Sequence, residues 1–266
     1  MTTMLSGERR PVLMIAVGRQ RVGKTVFLNT AIQFFRAHGA NVEIWNADML
    51  NTSHNLTVFF DDVQEPGEAG PEDVKIWLEE RFLSMVENRC DAVLDVGGGD
   101  TPLARLVDEL PIVSGLEDEG IRVVLVHVLG PEIADLDYLA NFLEGNLFAP
   151  EATLLVLNNG LILSGRSPDS AFGAIVKHWA FSDAVRKNAK WINFPRLPCM
   201  AAVTDRELTF DEAMRRVAKN DKGPVSLFDA GRVKRWWRED VVKCFSQIPL
   251  EWMPEMPDFA EREMIG

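Results

Sequence analysis

Short continuous apolar runs alternate along this chain with longer stretches in which apolar residues recur at three- and four-residue intervals. The runs near 11–17, 42–46, 91–96, 121–129, 153–158 and 191–194 predict strands covered on both faces. The periodic stretches near 24–38, 71–88, 101–110, 132–147, 170–188, 209–220 and 229–246 predict helices. Such alternation predicts an α/β chain with a doubly wound, mostly parallel sheet flanked by helices. No internal repeat or low-complexity linker interrupts it, so residues 1–248 are expected to form one domain. Residues 249–266 contain Pro249, Pro254 and Pro257 and end acidic, and the expectation is a tail over the surface without a helix of its own.

The first predicted strand runs directly into residues 18–25, GRQRVGKT, and the apolar-periodic stretch of the first helix follows. A G-x-x-x-x-G-K-T loop between a strand and a helix aims backbone N–H groups at phosphate oxygens, at the positive end of the helix. Lys24 then adds a point charge at the β- and γ-phosphates, and the Thr25 hydroxyl suits a bridging Mg2+. Gly18, Arg21, Val22, Gly23 and Val26 complete the loop and first turn that would cradle the nucleotide.

In open α/β sheets ligands sit beyond the carboxyl ends of the strands, and three such ends carry polar groups. Asp95 closes the third predicted strand and precedes a glycine run, which suits a metal-linked aspartate or a turn residue. Asp48 follows the second strand; it could orient the attacking water or help hold the ion, or be a solvated loop residue. Asn158 ends the fifth strand and could bond an adenine edge or simply start a turn. The residues after it include no aspartate of the N-K-x-D kind that selects guanine, so ATP with Mg2+ is the expected cofactor pair.

Composition narrows the partners. The 266 residues carry a formal net charge of −12, so nucleic acid would need a local basic patch. Arg232, Lys234, Arg235, Arg238 and Lys243 supply one on a late helix that also carries Trp236 and Trp237. It reads either as a DNA-contacting face or as a solvated face with its tryptophans buried against the sheet. The absence of a leader or membrane-length apolar run gives a cytoplasmic expectation. Cys90, Cys199 and Cys244 lack metal-ligand spacing and read as ordinary thiols, and the four histidines are scattered.

Over about residues 11–215 these motifs resemble the ParA/MinD family of P-loop ATPases. The match rests on the loop at 18–25, the strand ends at Asp48, Asp95 and Asn158, and the segment Phe194 to Pro198, which is similar to the family's adenine-flanking loop and brings in Pro195 and Arg196. The resemblance implies an ATP-bound homodimer with slow hydrolysis stimulated by a protein partner, acting in DNA or plasmid segregation, positioning or transfer. It also implies a cross-dimer phosphate contact from Arg19, where the family carries lysine, or else Arg19 and Arg21 are solvated charges. A family D-x-D pattern is here Asn46-Ala47-Asp48, which implies weaker metal-water coordination. The acidic, proline-broken tail argues against a membrane anchor. A small-molecule ATP-dependent kinase or ligase, and a nucleotide-sensing scaffold with little hydrolysis, are the alternatives on the same scaffold.

Overall fold

The computed structural model describes residues 9–49, 55–97, 111–145 and 150–259. Its seven strands are β1 (Val12–Val17), β2 (Val42–Asn46), β3 (Val63–Gln64), β4 (Asp91–Asp95), β5 (Arg122–Leu129), β6 (Ala152–Asn158) and β7 (Lys190–Phe194). They form one sheet in the order β3-β2-β4-β1-β5-β6-β7. Every pairing is parallel, where the sequence pattern predicts a mostly parallel sheet. Alternate residues of β1 go to opposite faces. Met14 and Ala16 pack under α1 (Lys24–Ala37) and the C-terminal helices. Leu13, Ile15 and Val17 pack with Leu78 and Phe82 of α2 (Pro71–Asn88). Both faces are therefore dry, which is why the strands read as unbroken apolar runs.

α1 is buried along most of its length because it lies between the sheet and the C-terminal segment. Phe34 stacks on Phe245 with ring centroids 4.6 Å apart, and Phe27 meets Phe194 edge-on at 5.5 Å. The polar Gln33 is accommodated there by donating to Asn29 and accepting the Phe210 N–H at 2.7 Å.

Several predicted elements are corrected. The stretch 170–188 is two helices, Pro168–Lys177 and Trp179–Arg186, because His178 is extended and its Nδ1 accepts the Ala180 N–H. The helix expected over 209–220 stops at Arg215, with Arg216 left-handed at φ 58°. The helix expected over 229–246 starts at Leu227 with Ser226 as its cap and contains a π-helical turn, Trp236–Val241, before Val242–Phe245. That turn follows from burial: Val233, Trp236, Val241 and Cys244 are all inside, and only the widened turn brings residues five apart onto one face. The helix expected over 132–147 is Leu136–Gly145, preceded by a 3-10 turn. β3 and the helices Ile112–Asp118 and Met200–Thr204 have no counterpart in the sequence reading. The expected helix at 101–110 lies outside the described residues.

The C-terminal segment is also corrected. Residues 249–259 are packed against the core instead of crossing the surface: Trp252, Met253, Met256 and Phe259 are all buried. The Asp258 N–H donates to His38 O, and Asp91 accepts from both Arg9 and the Glu255 N–H. The short turn Leu250–Trp252 is helical. Among the described residues no helix is long and apolar enough to cross a membrane.

Candidate functional site

The sheet order puts β1 between β4 and β5, so the chain reverses its winding beside β1 and opens a crevice at the carboxyl ends of these strands. The registers bring the predicted residues to that edge. Ala16 and Asn46 both pair with Asp95, and Asn158 pairs with Phe194, immediately before Pro195.

The loop between β1 and α1 takes its shape from two glycines. Gly18 has φ 139°, and a Cβ there would lie 2.7 Å from the carbonyl oxygen of Val128. Gly23 has φ 95°, and its Cβ would lie 2.4 Å from Asn158 Nδ2. Both the left-handed backbone and the close approach exclude a side chain. Arg21 also has positive φ, 66°, and points outward. Val22 is buried, and Val26 packs part-buried against the core.

Four side chains converge behind this loop. Lys24 is buried and its Nζ donates to the carbonyls of Gly18 and Arg19, each at 3.2 Å. Burial pushes its pKa down, against the pull of Asp95 and Asp48. Thr25 Oγ1 donates to Asp95 Oδ2 at 2.8 Å. Asp95 is 1% exposed, and among the described residues its Oδ1 has no hydrogen-bond partner. Burial therefore pushes its pKa up to about 6, although Thr25 and Lys24 both favour the charged form. Asp48 contributes to the field at both groups and lies against Gly97, where a Cβ would be 3.2 Å from its Oδ1.

The other predicted residues are placed as follows. Asn158 braces the loop: Nδ2 donates to Val22 O at 2.8 Å, and Oδ1 accepts the Gly160 N–H at 2.9 Å. Pro195 O accepts from Trp236 Nε1 at 3.1 Å, and Arg196 is exposed and donates to Ile162 O. These two segments are neighbours at the carboxyl ends of β6 and β7, where Asn158 pairs with Phe194. Arg19 is held within its own chain by Asp135 at 3.0 Å and Glu132 at 3.2 Å. In the basic patch Arg232 pairs with Asp229 and Arg235 with Glu239, while Lys234, Arg238 and Lys243 are exposed. Trp236 is buried against Phe194 and Phe210. The three cysteines are free thiols.

Sequence reasoning missed Glu65, Glu132 and Asp135. The last two follow β5 and were reachable by inspecting every strand end. Glu65 follows a strand of two residues, too short for any alternation to announce it.

No protein-family model matches the sequence, and no curated protein matches it. Among solved structures the chain is similar to chloroplast FtsY from Physcomitrella patens, with 18% identity, TM-score 0.46, and 88% of this chain and 68% of that one covered. It is similar to the MinD cell division protein of Aquifex aeolicus, with 14% identity, TM-score 0.46, and coverages of 86% and 97%. For the signal recognition particle 54 kDa protein of Aeropyrum pernix in complex with GDP, the values are 13%, 0.41, 90% and 49%. These similarities are distant, and what the site can do follows from its own atoms.

Proposed function

We propose that this chain is a P-loop ATPase that binds ATP with Mg2+ and hydrolyses it slowly, switching between a monomer and a nucleotide-bound homodimer. The observation that carries the proposal is the convergence of Lys24, Thr25, Asp48 and Asp95 behind a glycine-shaped loop at the reversal point of a parallel sheet. Lys24 is poised to exchange two carbonyl contacts for phosphate oxygens, which are stronger, charge-assisted acceptors.

The donor set fits a hard divalent cation. A hydroxyl and a carboxylate lie 2.8 Å apart, and among the described residues the second, buried carboxylate oxygen has no hydrogen bond, so a cation would hold Asp95 ionised where burial alone disfavours it. Thr25 and Asp95, with Asp48 nearby, would hold Mg2+, which when bound neutralises charge developing on the phosphates. Asp48 is the group able to orient an attacking water.

The preference for ATP over GTP rests on the missing guanine-selecting aspartate after Asn158. The segregation-type role carries a further proposal of non-specific DNA binding. Lys234, Arg238 and Lys243 would supply most of it, since Arg232 and Arg235 are already paired.

The test is light scattering and equilibrium nucleotide binding on the wild type and on Lys24→Ala, with Mg2+ and ADP, ATP, GTP or a nonhydrolysable ATP analogue. The expected result is Mg2+-dependent ATP binding and a dimer formed with the analogue, both lost in Lys24→Ala. Binding that ignores Mg2+, or a Lys24→Ala variant that binds and dimerises as well as the wild type, would overturn the proposal.

A further inference from the structure

We infer that Glu65, acting through Asn46, is the positioning residue that holds Asp48 at the nucleotide site; its catalytic consequence rests on the function proposed above. Glu65 follows β3, the outermost strand beside β2. Its Oε1 accepts from Asn46 Nδ2 at 2.6 Å, and Asn46 Oδ1 accepts the backbone N–H of Asp48 at 3.2 Å. The preceding peptide N–H, that of Ala47, donates to the backbone carbonyl of Asp95 at 2.9 Å and ties the same turn to the end of β4.

Only one orientation of the Asn46 amide satisfies this chain. An ionised carboxylate can only accept and a backbone N–H can only donate, so the residue between them must offer a donor on one side and an acceptor on the other. Asn46 is fully buried, so neither end has water as an alternative partner. An aspartate at 46 would place two carboxylates at hydrogen-bond distance, where both cannot be ionised. Asn46 and Glu65 are therefore a matched pair. The acid that the D-x-D resemblance leads one to expect at 46 is carried one strand outward, at 65, and it reaches Asp48 through the amide.

The pairing predicts a specific pattern among four variants. Glu65→Gln keeps a carbonyl acceptor for Asn46 and should behave as the wild type. Glu65→Ala removes the acceptor, and Asn46→Asp sets carboxylate against carboxylate. The double variant Asn46→Asp/Glu65→Gln restores a donor–acceptor pair of reversed polarity while still accepting the Asp48 N–H.

Two readouts test it. In the nucleotide-free protein, the Asp48 amide resonance should shift in Glu65→Ala and Asn46→Asp and return toward its wild-type position in the double variant. In Mg2+-ATP hydrolysis, kcat should fall about tenfold in those two variants with KM within about threefold, and the double variant should recover to within about threefold of wild-type kcat. A general loss of fold would not give this split or this rescue.

Glu65 is exposed, so Glu65→Ala is expected to fold and decides the matter even if Asn46→Asp does not. An unmoved Asp48 amide and unchanged kcat in Glu65→Ala, or no rescue by Glu65→Gln, would overturn the inference. A wild type with no nucleotide turnover would remove the proposed function instead, and the Asp48 amide pattern would still decide the pairing.

Discussion

Replacing Asp95 by asparagine should make the nucleotide-free protein gain stability relative to the wild type as pH rises through about 6, although Asp95 lies at the centre of the site. Its carboxyl is 1% exposed, and burial pushes its pKa up to about 6, against an ordinary aspartate value of about 4. At about 1.4 kcal/mol per pH unit, holding this group ionised in the fold costs about 3 kcal/mol. The sign follows from proton linkage. Between about pH 4 and pH 6 the folded chain holds the proton and the unfolded chain does not. Stability is therefore greatest below about pH 4 for this group and is lost as pH rises through about 6. The amide that replaces the carboxyl would not titrate, so the stability difference between Asp95→Asn and wild type should move by roughly 2 kcal/mol in favour of the variant between pH 4 and pH 8. The asparagine can still accept from Thr25, but its NH2 takes the place of Oδ1, which has no partner among the described residues, a constant penalty of about 1–3 kcal/mol. Urea denaturation followed by tryptophan fluorescence suits the measurement, since Trp45 and Trp236 are buried. A difference that stays flat from pH 4 to pH 8, or moves in favour of the wild type, would refute the reasoning. Mg2+ should raise the wild-type midpoint at pH 8 and leave the variant's unchanged.

Gly23→Ala should destabilise by about 1–3 kcal/mol in urea melts, from a left-handed φ of 95° and a Cβ 2.4 Å from Asn158 Nδ2. Trp252→Ala should cost about 3–5 kcal/mol by the same assay, because the C-terminal segment is core packing. If DNA is bound, the triple variant Lys234→Gln, Arg238→Gln, Lys243→Gln should reduce the salt slope of log K by up to about 0.9 per lost phosphate contact, and Arg232→Gln should change it less. Glu132→Gln loosens the hold on Arg19. If Arg19 serves across a dimer, light scattering should show dimer at about twofold to fivefold lower nucleotide concentration.

The elements that were legible in the sequence are those whose signal is local. β2 is observed at Val42–Asn46 and α2 at Pro71–Asn88, both as predicted. One is a buried run between breakers, and the other opens on a proline at its first position, Pro71. The loop at 18–25 was legible because its glycines, lysine and threonine are each required by geometry within eight consecutive residues. What was not legible depends on distant partners. The π-helical turn arises from the need to bury Val233, Trp236, Val241 and Cys244 together, which no window of sequence reveals. Pro249, Pro254 and Pro257 were read as breakers of a tail without a helix of its own, yet Pro249 stands at the start of the helical turn Leu250–Trp252; proline also says nothing about burial, and the apolar Trp252, Met253, Met256 and Phe259 between and beyond them decide it. Asn158 is of the same kind. Its place at the end of β6 was evident, whereas its role as a brace needs the Val22 carbonyl to be 2.8 Å away.

The two departures from the resembled pattern are answered by the same device. Arg19 adds a positive charge to the loop and meets Glu132 and Asp135 from the end of β5. Asn46 removes a carboxylate, and Glu65 returns one from the end of β3. Among the described residues the carboxyl edge of the sheet thereby gathers the acids Asp48, Glu65, Asp95, Glu132 and Asp135 around Arg19 and Lys24, with Arg21 and Arg196 exposed beside them. Asp48 and Asp95, the acids nearest Lys24, oppose a bare triphosphate. Affinity must then come from the backbone N–H groups of the loop, from Lys24, and from a divalent cation that offsets the acids at the point of contact. Nucleotide binding to this chain is for that reason expected to depend steeply on Mg2+, more so than Lys24 and the glycine loop alone would require.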